Sequence, residues 1–87
     1  MPDQTSHRND LDQVLARFPD RAETIRRLYL ANDGFRSACA DHALALAALS
    51  AFEARPDSGS RPEVAEYRQL IRDLESELAA LIAAAAG

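Results

Sequence analysis

An all-α fold is predicted for this chain: an antiparallel helical hairpin of coiled-coil type, with a short extra helix at its N-terminal side. Three observations predict it. Alanine, the strongest helix former, supplies eighteen of the 87 residues. Two runs of apolar residues step alternately by three and four, the spacing of a heptad seam. Between them stands one loop rich in Pro, Ser and Gly, which folds the second run back on the first.

The elements follow in order. Residues 1–9 are polar and are expected to form a disordered tail ahead of a single helical domain over 10–87. Leu11, Val14, Leu15 and Phe18 fall at i, i+3, i+4 and i+7, which predicts a short amphipathic helix over about 10–18. Asp10 is its expected N-cap, with Gln13 three residues on. Pro19 stops this helix and suits the first turn of another, expected over about 20–54. In that helix Ile25, Leu28, Asn32, Phe35, Cys39, His42, Leu46 and Leu49 occupy successive seam positions.

Asn32-Asp33-Gly34 weakens the helix, since an interior Gly costs about 1 kcal/mol. The chain either kinks at 32–34 or restarts there with Asn32 as a cap. Unbroken heptad phase favours the kink, and it sends Pro19–Ala31 past the end of the hairpin. The loop is Arg55–Arg61, followed by Ser60 and Glu63 at capping-box spacing with Pro62 between them. Val64, Tyr67, Ile71, Leu74, Leu78, Leu81 and Ala85 then predict a final helix over about 61–86. Folding about the loop sets Leu49 near Tyr67, Leu46 near Ile71, His42 near Leu74 and Cys39 near Leu78.

A chain this short, whose apolar content is largely alanine, buries little interior and is expected to gain a partner. Positions flanking the seam, usually charged in a two-stranded coil, are mostly apolar, and from Ala38 to Ala54 the helix is apolar nearly all round. Two hairpins joined as a helical bundle would cover such a helix. The interface candidates are Leu30, Ala38, Leu44, Ala45, Leu70 and Ile82, with the overhanging Ile25 and Leu28. Alanine as neutral filler on an open face is the plainer alternative, and Leu30 and Leu44 weigh against it. Asn32 and His42 are expected as polar seam residues that fix register, His42 with a charge that changes near neutrality.

Chemistry finds little foothold. Net charge is −4, with ten Arg and no Lys, which disfavours attraction to phosphate backbones, so nucleic acid is not an expected partner. Cys39 and His42 lie three apart on one face and could offer two zinc ligands, but seam positions commonly take such residues as filler. No metal, cofactor or catalytic residue is expected, and the chain is expected not to be an enzyme. Glu63, Glu66, Asp73, Glu75 and Glu77 interleave with Arg68 and Arg72 as a solvated helix surface. Arg17, Arg21, Arg26 and Arg27 form the densest basic cluster, offset by Asp20 and Glu23. The start of the chain lacks a signal-peptide pattern and Leu78–Ala86 is too short to span a bilayer, so a cytoplasmic place without membrane contact is expected. A single cysteine allows no internal disulfide.

From Phe18 to about Leu78 the chain resembles the small bacterial YdcH-like family, whose function is unknown. The likeness opens on Phe18-Pro19-Asp20 and runs ungapped through Ile25, Leu28, Asn32, Phe35, His42, Leu49 and Glu53. Beyond the loop, Glu63-Val64, Leu74, Glu77 and Leu78 fall where that family carries like residues. The resemblance implies a helical hairpin that self-associates, and it implies no activity. Where the family's second helix is often lysine-rich, this chain has only Arg68 and Arg72, with Ile71 at a usual Lys position. The expected function is a self-associating structural or adaptor hairpin, a homo-oligomer. The alternative is a regulatory hairpin that docks a larger protein through its N-terminal helix, or, further off, RNA.

Overall fold

The computed structural model describes the backbone of residues 2–86 and the side chains of residues 9–57 and 59–86. Among the described residues the fold is all-α. Helix α1 spans Pro2–Arg17, α2 Ala22–Ala31, α3 Asp33–Glu53 and α4 Pro62–Ala86, with 3-10 turns at Pro19–Arg21 and Ser58–Ser60. No helix among the described residues is long and apolar enough to cross a membrane.

Helices α3 and α4 form the hairpin that the two heptad runs predict. The Phe52 and Tyr67 rings stack at 5.5 Å beside the loop. Arg68 Nη2 donates to Glu53 at 2.7 Å, and His42 meets Glu75 at 3.0 Å. Cys39 and Leu78 share the apolar core. The register therefore lies within a few residues of the one read from the sequence: His42 stands against Glu75, the neighbour of Leu74.

Boundaries differ at three places. Helix α1 begins at Pro2, so residues 2–9, expected as a tail, are helical, and Asp10 lies inside the helix instead of capping it. Met1 of that expected tail lies outside the described residues, as does Gly87. Helix α4 begins at Pro62, and the Ser60 hydroxyl donates back to the Asp57 carbonyl at 3.0 Å, so the Ser60–Glu63 capping box does not form. Pro62 at the first helical position explains the shift, because its fixed φ suits that position and it lacks the amide that would go unpaired.

The third difference reorganises the molecule. Asn32 is extended, at φ −128° and ψ 110°, and its side chain accepts from Phe35 N at 2.9 Å. It is an exposed N-cap, and neither a kink in a continuous helix nor a buried seam residue. Arg36 secures the other side of the break: Nη1 donates to the carbonyls of Tyr29 (2.6 Å) and Leu30 (3.1 Å), and Nη2 pairs with Asp33. The last carbonyls of α2 and the first amides of α3 are thus satisfied side by side. Asn32→Ala is expected to cost about 1 kcal/mol, the usual loss for a cap. An unchanged urea midpoint would show that this side chain does not hold the break.

Because the helix restarts at Asn32, α2 does not project. Continued straight, Ile25 would stand ~15 Å from Phe35 along the axis and beyond the end of α4. Instead Ile25 is fully buried in one cluster with Val14, Phe35, Ala38, Cys39, Leu78 and Ile82. Leu11, Leu15, Phe18, Leu28, Tyr29 and Leu81 pack around it. Helices α1 and α2 therefore lie against the hairpin and supply the cover expected from a second copy. The molecule measures 43 × 32 × 20 Å. Its shortest dimension is about two helix diameters, a two-layer slab in which each helix keeps one side open.

Candidate functional site

Of the interface candidates, three are open to solvent: Leu30 is 80% exposed, Leu44 70% and Leu70 43%. The others are not available. Ile25, Ala38, Ala45 and Ile82 are buried within the chain, and Leu28 is half-buried against its core. For Ile25, Leu28, Ala38 and Ile82 the physical reason is the turn at Asn32, which gathers α1 and α2 into one core with the hairpin, while Ala45 turns inward beside α4.

Leu44 and Leu70 share a groove between α3 and α4, about 440 Å³ in volume and lined also by Asp41, Ala45, Ala48, Tyr67 and Leu74. Helical spacing explains the composition. On α4, Leu70 sits just outside the buried stripe of Val64, Ile71, Leu78 and Ile82. Exposed Glu66, Asp73 and Glu77 stand four before, three after and seven after it, on the same outer flank. On α3 Ala45 and Ala48 line the groove beside Leu44, and Asp41 is its acidic lining residue. At the loop end the Arg55 guanidinium stacks on Phe52 at 5.2 Å.

Leu30 belongs to a different surface. It lies on α2 with Arg26 four residues before it and Arg27 three before it, all exposed. The Arg36 guanidinium is held at its carbonyl. Of the expected basic cluster, Arg17 turns away to Glu75, and Arg21, Arg26 and Arg27 remain exposed.

A polar tie runs through the opposite side of the hairpin. His42 is 1% exposed, and its Nε2 lies 3.0 Å from Glu75 Oε2. Glu75 Oε1 in turn accepts from Arg17 Nε at 3.0 Å, so one carboxylate joins α1, α3 and α4. Partial burial pushes the Glu75 carboxyl up, but the hydrogen bonds from His42 and Arg17 and their charge outweigh it. The net shift is below the ordinary carboxylate value. An ionised Glu75 fixes Nε2 of His42 as the donor. Nδ1 of His42 has no hydrogen-bond partner among the described residues, and neither does the buried Oε1 of nearby Gln13. The two side chains line a cleft of about 340 Å³ with Ala16, Arg17, Leu46 and Glu75.

Cys39 is fully buried in the apolar cluster, and burial, with a contribution from Asp10, raises its thiol to about 12. Burial thus favours the protonated, less nucleophilic form near neutral pH. Sequence reasoning placed His42 in the seam and missed its partner, because Glu75 was read with the solvated carboxylates. The available signal was position: Glu75 directly follows the seam residue Leu74 and so borders the position opposite His42. The chain matches no family model, no curated protein and no solved structure.

Proposed function

We propose that this chain is a non-enzymatic, self-associating helical module, a structural or adaptor protein of YdcH-like type that acts in the cytoplasm. The observation that carries this reading is the pairing of Leu44 and Leu70 in one open groove. Burying an exposed leucine contributes about 1.5–3 kcal/mol, so each copy gains on the order of several kcal/mol by covering the two. An isolated exposed leucine needs no explanation, but two lining a groove with Tyr67 and Leu74 form a patch of the kind that marks an interaction site. The reading in which the N-terminal helix reaches out to a larger partner draws less support, because the apolar side of α1 is spent on the chain's own core.

Light scattering coupled to size exclusion tests the proposal at tens of micromolar protein, where a Kd of about 1 µM (roughly −8.2 kcal/mol) leaves the assembled form dominant. The wild-type chain is expected to run above the monomer mass of 9.5 kDa. Leu44→Glu is expected to return it to that mass while it stays folded, since an exposed substitution shifts the monomer's own stability by only about 0.5 kcal/mol. A folded wild-type monomer at that concentration would overturn the proposal.

A further inference from the structure

Granted self-association, we infer that the contact joins two different patches: Leu30 on α2 of one copy seats in the Leu44–Leu70 groove of another. The groove does not pair with itself. Asp41 lines it, and exposed Glu66, Asp73 and Glu77 stand on the outer flank of Leu70 at helical spacing. Groove on groove would set two such acidic surfaces face to face as the leucines desolvate. Like charges juxtaposed in an interface oppose association and offset the gain from burying the leucines.

The α2 surface is the complement. Leu30, the most exposed large apolar side chain among the described residues, is flanked by Arg26 and Arg27, with the Arg36 guanidinium at its own carbonyl. Two acids accompany them: Glu23, one turn before Arg27, and Asp33, paired with Arg36. The balance is three cations to two anions, against one carboxylate lining the groove and three on the flank of Leu70 beside it. An apolar knob flanked by cations thus faces an apolar floor with carboxylates beside it. Leu30 is not among the residues lining the groove, so one copy presents both halves on separate surfaces. A reciprocal contact closes a two-fold pair, and a one-way contact continues into a ring or chain.

The test is complementation between Leu30→Glu and Leu44→Glu, followed by sedimentation velocity at low and moderate salt. Each variant alone is expected to be monomeric, because each loses one half of the contact. An equimolar mixture is expected to recover a two-chain species, the intact groove of one variant taking the intact Leu30 of the other. Arg26→Glu with Arg27→Glu is expected to weaken wild-type assembly roughly tenfold or more, and added salt is expected to weaken it as well. If Leu30→Glu assembles like wild type while Leu44→Glu does not, or if salt strengthens assembly, the groove pairs with itself and this inference fails while self-association stands. A monomeric wild type defeats both. Circular dichroism checks the fold of each variant, and should Leu30→Glu unfold, the arginine pair and the salt response decide.

Discussion

Replacing Ile25 with alanine is expected to destabilise the whole domain by about 2–5 kcal/mol. Ile25 is fully buried, and it shares one core cluster with side chains from three other helices: Val14 of α1, Phe35 of α3, and Leu78 and Ile82 of α4. Removing its side chain beyond Cβ opens a cavity where α2 meets the rest of the core, and a close-packed interior collapses around such a hole only in part. Domains of this size hold on the order of 5–15 kcal/mol in total, so the loss is a large share of it and lowers the melting temperature by on the order of 10 °C or more. The size of the effect separates two topologies. A continuous helix over 20–54 would leave Ile25 beyond the end of α4, where the alanine would cost a monomer almost nothing and would act only through association. Urea unfolding followed by circular dichroism at two protein concentrations distinguishes them. A concentration-independent loss is the expected outcome, and a midpoint unchanged in dilute protein would return α2 to a projecting arm.

The hairpin was legible because it depends on periodicity, and periodicity survives the lack of partners in the reading. Val64, Ile71 and Leu78 mark the buried face of α4, and the Arg55–Arg61 loop sets their approximate register against Phe35, Cys39 and His42. The turn at Asn32 was not legible for the same reason. Phase counts residues, and one extended residue between two helices leaves the count intact while it redirects the axis. What decides the turn is a set of hydrogen bonds: the Asn32 side chain to Phe35 N, and Arg36 to the carbonyls of Tyr29 and Leu30. These are choices among conformations that the residue types permit without requiring.

The same turn explains the mixed fate of the interface candidates. An apolar surplus around α3 shows that something must cover the helix, and composition is silent on whether the cover comes from the same chain. Here α1 and α2 take the faces of Ala38, Ile82 and Ile25, while Leu44 and Leu70 stay open because the cis helices lie elsewhere. Leu44 and Leu70 are open to solvent, whereas Ala45 turns inward. The acidic flank beside Leu70 was visible in the four-and-three spacing of Glu66, Asp73 and Glu77, and it gains meaning only once Leu70 is known to be exposed.

Acid is expected to loosen the molecule through Glu75. Its carboxyl titrates below the ordinary 4.5 in the folded chain, held there against burial by His42 and Arg17. The unfolded chain therefore binds the proton first as pH falls. The stabilisation is complete above about pH 4.5 and is lost as pH drops through the lower folded value. Glu75→Gln keeps the shape and an acceptor for His42 but cannot ionise. Melting temperatures of wild type and variant are expected to differ by a constant amount from neutrality down to about pH 5, then to converge in more acidic solution. Parallel curves throughout would show that Glu75 gains nothing from its partners. Glu75→Ala goes further, because it leaves both ring nitrogens of the buried His42 unpaired, and is expected to cost about 1–3 kcal/mol. Replacing both members, Glu75→Leu with His42→Leu, removes the polar demand along with its supply, and such exchanges are often close to neutral. If the double variant proves as unstable as the two single losses summed, His42 and Glu75 contribute independently and the tie between α3 and α4 is not a tie.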